Sequence, residues 1–267
     1  MPQNSRQEQI LALVRQRGFV SIEALAAHFE VTPQTIRRDI NLLCEKELLR
    51  RYHGGAGLPS SVENVTYQAR QIRCLEEKRR IAALVATHVP DEASLFLNVG
   101  TTTEEVARAL VRHRGLRVIT NNLHIANLLS QQEGFEVIVA GGLVSGREQG
   151  VVGEATVEFI SRFKVDIGII GIGGIDEDGA LLDFDYRDVR VSQAIIANSR
   201  QTFLVADHSK FGRNAMARVG NLAEMDAFFT DAPPPPAIGR LIAASGVRLY
   251  VAEDAVRRST ALARAGE

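Results

Sequence analysis

The chain has 267 residues, 45% hydrophobic and 24% charged, with a net charge of −1. That composition suits a soluble protein with room for one small and one medium domain. No run of about 18 apolar residues exists to span a membrane and the N-terminus lacks a hydrophobic signal core, so a cytoplasmic protein with no membrane partner is expected.

The first elements are read from apolar spacing. Residues 6–16 are predicted helical, with Ile10, Leu13 and Val14 on one face, and Gly18 ends the helix. Ser21 is a cap candidate for a second short helix whose inner face is Ile22, Leu25, Ala26 and Phe29. A tight connection through Glu30 and Val31 leads to Thr32-Pro33-Gln34-Thr35-Ile36-Arg37-Arg38-Asp39. The Thr32 hydroxyl can accept an orphan backbone N–H, and Pro33 fits the first helical position, where no N–H is needed. Ile36, Ile40 and Leu43 form a buried stripe. Gln34, Arg38 and Asn41 lie opposite it, with Arg37 at the flank. Guanidinium and amide groups can read guanine and adenine edges bidentately, so this is the expected recognition helix of a helix-turn-helix. Alternating residues 48–53 followed by Gly54-Gly55 predict a β-hairpin. With Arg50, Arg51 and His53 on it, the hairpin reads as a wing resting on phosphates. The expected DNA-contacting set is Thr32, Gln34, Thr35, Arg37, Arg38, Asn41, Arg50, Arg51 and His53. Residues 1–80 carry 13 Lys and Arg against 9 Asp and Glu, a net of +4, leaving −5 for the remainder. The basic end is therefore the end with the motif, as phosphate contact requires.

Residues 1–57 are thus expected to be a winged helix-turn-helix, and the Pro/Ser-containing stretch from 58 to 75 a linker. From 76 to 252 the chain alternates. Strands are predicted at 94–99, 116–120, 136–140, 165–171, 202–206, 227–230 and 247–251. Helices are predicted at 76–88, 104–113, 123–131, 155–163, 188–199 and 237–244. This alternation predicts an α/β domain with a mostly parallel sheet. Pro233–Pro236 reads as a surface turn, and residues 253–267 as a tail. Cys44 and Cys74 and the six scattered histidines show no metal-ligand spacing, so neither a metal nor a cofactor is expected, and the cysteines are expected as thiols.

The strands close on small or polar residues. In open α/β sheets ligands bind beyond the carboxyl ends of the strands, and a helix N-terminus favours an anion. The expected effector site is accordingly Gly100, Thr101, Thr102 and Thr103, with Asn122, Gly142 and Gly173. Lys210 supplies a cation, and Asp176 and Asp207 could accept hydrogen bonds from hydroxyls. Gly171–Asp176 has the wrong spacing for a dinucleotide fingerprint. Read alone, Asp207 and Lys210 could equally form a surface pair.

Taken together, the Thr32–Asp39 segment, the wing Arg50–Ala56, Val99-Gly100-Thr101-Thr102, Ile119-Thr120-Asn121-Asn122, Ala140-Gly141-Gly142 and Asp207-His208-Ser209-Lys210-Phe211 resemble the DeoR-type transcriptional regulators over about residues 6–251. The segments 58–61, 153–156, 183–186, 207–216 and 230–235 narrow the resemblance to members governing glycerol-phosphate genes. It implies an effector domain related to ribose-5-phosphate isomerase and glucosamine-6-phosphate deaminase, with the phosphate held by the Gly-Thr-Thr loop and Lys210. Many relatives have a lysine where this chain has Ser192; if that lysine touches the effector or a neighbouring subunit, Arg190 or Arg187 would have to substitute. The resulting expectation is a non-enzymatic homo-oligomeric repressor on palindromic double-stranded operator DNA, released by a small phosphorylated polyol such as glycerol-3-phosphate. Two alternatives stay open: regulation by another sugar phosphate, and a sugar-phosphate isomerase with a DNA-binding appendage, for which Asp183 and Asp185 would be the acidic groups.

Overall fold

A computed structural model describes residues 3–252 apart from 47, 62, 63, 147 and 148. The tail expected at 253–267 lies outside the described residues.

The N-terminal domain is a three-helix unit closed by a small sheet. Helices α1 (Gln3–Arg17), α2 (Ile22–Phe29) and α3 (Pro33–Glu45) are joined by strands β1 (Phe19–Ser21), β2 (Arg50–Tyr52) and β3 (Gly55–Gly57), in the order β1-β3-β2. Helices α2 and α3 each start where a side chain satisfies an orphan backbone donor. Ser21 Oγ accepts from Ala24 N at 3.1 Å, and Thr32 Oγ1 accepts from Thr35 N at 3.3 Å. Ile10, Val14, Leu25, Ile36, Ile40 and Leu43 are all buried in one cluster. Strand β1 escapes the helical spacing that reads the rest of this domain. It forces glycine at 55, because a Cβ there would lie 2.4 Å from the Val20 carbonyl oxygen.

The segment expected as a linker contains helix α4 (Tyr67–Ile72), capped by Thr66, and α5 (Leu75–Ala86) follows closely. The C-terminal domain then runs β4 (Ser94–Leu97), α6 (Thr101–Leu110), β5 (Arg117–Thr120), α7 (Leu123–Leu129), β6 (Glu136–Val139), β7 (Leu143–Ser145), β8 (Gly150–Val152), α8 (Glu154–Ile160), β9 (Val165–Gly171), β10 (Gly174–Ile175), β11 (Ala180–Asp183), α9 (Tyr186–Ala197), β12 (Ser199–Val205), β13 (Ala217–Asn221), β14 (Ala227–Thr230), α10 (Pro236–Ser245) and β15 (Arg248–Val251). All seven predicted strands enter one parallel sheet, ordered β15-β14-β12-β9-β4-β5-β6. Successive strand residues face opposite sides, so Phe228 packs in the cluster on one face and Phe229 in the cluster on the other. Pro235 and Pro236 begin α10 rather than only making a turn. The β7–β8 hairpin and the small antiparallel sheet β10-β11-β13 were not predicted; two- to five-residue strands carry too little periodicity to read.

The two domains touch. Arg15 of α1 pairs with Glu177 and donates to the Gly212 carbonyl at 3.5 Å. Asn214 Nδ2 donates to the Pro59 carbonyl at 3.3 Å, and Met216 N to that of Ser61 at 3.1 Å.

Asp39 is 1% exposed and accepts from Arg6 Nε at 2.6 Å and Gln7 Nε2 at 3.1 Å, fastening α3 to α1. Removing one partner of a buried pair strands the other. Asp39→Ala is expected to destabilise this domain by roughly 3–5 kcal/mol. Urea unfolding followed by a probe in residues 3–57 checks it; a loss below about 1 kcal/mol would reduce the contact to an ordinary surface pair.

Candidate functional site

On α3, the face opposite the buried stripe presents Gln34, Arg37, Arg38 and Asn41 to solvent, and Thr35 is partly covered beside Thr32. Asp39 sits next to two arginines in sequence but turns inward to Arg6 and Gln7. Its negative charge is thereby taken off the exposed face, which stays cationic. Arg50, Arg51, Tyr52 and His53 are exposed along the β2–β3 hairpin. The nine residues read from sequence as DNA contacts therefore lie on α3 with its cap and on one adjoining hairpin, a geometry that can enter a major groove and rest on its phosphates.

The second site lies beyond the carboxyl ends of β4 and β9. Its cavity, about 30 Å³, is lined by Val99, Gly100, Thr101, Thr102, Gly171, Ile172, Gly173, Asp183, Asp188 and Lys210, with Asn64 and Arg70 contributed by the connecting segment. Gly100 has φ +148 and precedes the first turn of α6, whose leading N–H groups have no helical acceptors. Burial pushes the partly exposed Lys210 ammonium down to about 8. The Asp207 carboxylate pulls against this, while Arg213, Lys78 and Arg70 reinforce it. Burial would raise the Asp207 carboxyl, yet Lys210, its bond from Ser209 and Lys78 together hold it below the usual range. Asp231 grips the Asp207–Lys210 turn by accepting from His208 N and pairing with its Nδ1, both at 2.7 Å. This arrangement can hold an anion between a helix end and an ammonium, and offers Asp183 and Asp188 to hydroxyl groups.

Of the sequence-derived effector set, Gly100, Thr101, Thr102, Gly173 and Lys210 line the cavity. The other five are placed elsewhere. Thr103 Oγ1 turns inward to the carbonyls of Asn98 and Gly100, at 2.9 and 2.7 Å. Asn122 is buried, caps α7 and donates to Glu104 Oε1 at 3.1 Å. Gly142 packs where a Cβ would meet Thr156 Oγ1 at 2.2 Å. Asp176 is exposed and accepts from Glu177 N. Asp207 stands behind Lys210, in an adjacent cleft with Arg70, Arg73, Lys78 and Arg213. Arg187 is engaged by Asp185, and Arg190 lies 3.8 Å from Glu154, so neither lines the cavity; Ser192 accepts from Asn98 Nδ2 beneath it. Spacing gave no hint that Cys74, Asp207 and His208 would come within 4.8 Å of one another. Asp207 is committed there to Lys210 and Lys78, which makes a poor ligand set. Asn64 and Arg70 were missed because they fall in a polar stretch; the Thr66 cap was the available signal. Asp183 and Asp188 lie on β11 and α9, where strand β11 was unread.

A capped, cationic helix and wing joined to an α/β domain with an anion-suited strand edge define a DNA-reading sensor architecture. The chain belongs to the DeoR family: residues 6–62 match the DeoR-like helix-turn-helix domain and residues 73–232 the DeoR C terminal sensor domain. It is 51% identical to the glycerol-3-phosphate regulon repressor of Escherichia coli (strain K12) over 93% of this chain and 99% of that one. The repressor of the same description from Haemophilus influenzae is also 51% identical, over 88% of this chain and 91% of that one. Among solved structures, ribose 5 phosphate isomerase A from Neisseria gonorrhoeae is similar at 14% identity and a TM-score of 0.36, covering 54% of each chain, too distant to bear on activity.

Two substitutions separate base reading from phosphate contact. Arg38→Ala is expected to cost about 1–3 kcal/mol on specific DNA and much less on scrambled DNA. Arg51→Ala is expected to weaken both equally and to lower the slope of log affinity against log salt by roughly one. Titrations on both DNAs at several salt concentrations check the pair; an equal loss on both for Arg38→Ala, or an unchanged slope for Arg51→Ala, would reverse the assignments.

Proposed function

We propose that this protein is a cytoplasmic repressor that binds operators of glycerol and glycerol-3-phosphate metabolism genes and leaves them when a small phosphorylated polyol occupies the sensor cavity. The observation that carries this reading is the pairing, in one chain, of the exposed Gln34/Arg37/Arg38/Asn41 face with a cavity where the α6 N-terminus and Lys210 converge. The names of the relatives support glycerol-3-phosphate as the effector. The phosphate faces Gly100–Thr102 and Lys210, and the polyol hydroxyls face Asp183 and Asp188. The effector acts by binding the DNA-incompetent state more tightly, since equal affinity for both states shifts nothing. One head reads a short half-site, so a homo-oligomer places two recognition helices about 34 Å apart on a palindrome.

The carboxylates of Asp183 and Asp188 beside Lys210 are the one observation favouring an isomerase-like reading. Incubating the purified protein with sugar phosphates separates the two: no turnover is expected, and turnover would establish the enzyme. Operator release tested with glycerol-3-phosphate, free glycerol, fructose phosphates and deoxyribose phosphate distinguishes effectors. Release by free glycerol at the same concentration would remove the anion site.

Lys210→Ala is expected to retain operator binding and to raise the effector concentration for half release by roughly 10- to 150-fold. The pH dependence follows from the ammonium held near 8 in the free site. Below about 6 the phosphate monoester gains a proton; above about 8 Lys210 loses one. Effector affinity should therefore peak between these values and fall up to about tenfold per pH unit above 8. Lys210→Arg, whose guanidinium stays charged, should lack that alkaline fall. Calorimetric titrations from pH 5.5 to 9.5 check both, and an identical alkaline fall in Lys210→Arg would exclude Lys210 as its origin.

A further inference from the structure

The cavity is too small, as it stands, for the ligand proposed for it. About 30 Å³ leaves room for roughly two or three waters, less than a phosphorylated polyol needs. Its walls on the sheet side are β-strand ends and the start of α6, which the core holds in place. Asp183, Asp188 and Lys210 form a further part of the wall, and Asn64 and Arg70 are supplied by the segment between the domains. Arg70 is 8% exposed although it stands on a short connecting helix. Its Nε donates to the Val65 carbonyl at 3.1 Å, its guanidinium lies 5.8 Å from the Tyr67 ring centre, and it borders both the cavity and the cationic cleft behind Lys210.

We propose that Arg70 is a phosphate-binding residue of the effector site and that the 64–73 segment is displaced as the phosphate enters. This rests on reading the cavity as the effector site. Two contacts make the displacement consequential. Asn64 Oδ1 accepts from Arg213 Nη2 at 2.9 Å, while Arg213 Nη1 donates to the Gly173 carbonyl at 3.2 Å on the cavity wall. Three residues before Asn64, the Ser61 carbonyl accepts from Met216 N, close to where Asn214 holds Pro59. Entry of a phosphate from that side therefore alters the segment on which the DNA-reading domain is carried. A guanidinium suits the task, because its planar fork grips a phosphate through two parallel bonds, which an ammonium cannot do.

The test uses the full chain, with glycerol-3-phosphate and inorganic phosphate as probes and calorimetry as the readout. Arg70→Gln is expected to weaken both by about tenfold or more, and Arg70→Lys to recover part of that loss. Should Arg70→Gln bind both probes as the wild type does while Lys210→Ala loses them, the proposal is overturned and the effector site stands. Should the wild type bind neither probe, or Lys210→Ala bind them unchanged, the reading of the cavity fails and takes the proposal with it. Because Arg70→Gln could fold poorly, wild-type hydrogen exchange supplies the second measurement. Glycerol-3-phosphate, but not glycerol, should change exchange of the 64–73 amides relative to residues 3–57; identical exchange in both would overturn the displacement.

Discussion

The parallel sheet is the constraint on which the sensor depends. Parallel strands need crossover connections that cover both faces, and here clusters on the two faces bury nearly every strand residue of β9 and β12. A sheet so enclosed has one kind of accessible place where several chain segments converge on backbone polar groups: the edge where all strands end. Gly100 and Gly171 reach that edge from neighbouring strands β4 and β9, and Asn98 ties them, donating to the Gly171 carbonyl and accepting from its N–H. The cavity is thus a product of topology first and of its side chains second.

Legibility followed the physics of each signal. Helix caps, apolar stripes and seven buried strands repeat a pattern several times and could be read directly from residues such as Thr32, Ile36 and Phe228. The strand-end glycines pointed to the right edge but not to which side chain faces in. Asn122 and Thr103 were expected to touch a ligand and instead satisfy local backbone groups, a choice that short polar side chains make over distances no spacing rule captures. Arg70 was hidden for the opposite reason. Its role comes from a contact between a connecting helix and a sheet edge about 30 to 140 residues away along the chain, and neither periodicity nor composition records such a meeting.

Charge brings the connecting segment and the sensor to a shared cleft. Arg70, Arg73, Lys78, Lys210 and Arg213 line one cleft together with Asp207. Burial is the main cause of the depressed Lys210 ammonium; Asp207 opposes it, and the neighbouring cations Arg213, Lys78 and Arg70 add to it. Tyr67 donates to Glu104 at 2.8 Å, linking α4 in this arrangement to the helix whose N-terminus borders the cavity.

Lys78 sets a further property of the switch. Its ammonium is 3% exposed and donates to the carbonyls of Arg70 and Arg73, closing the end of α4 against α5. Mobile ions reach such a bond poorly, whereas they screen exposed charges such as Arg38 and Arg51 over about 8 Å at physiological ionic strength. The two halves of the molecule therefore answer differently to a change in ionic strength. Grip on nucleic acid rises and falls with the salt of the surroundings, while the buried Lys78 bonds that close α4 against α5 are far less sensitive to it.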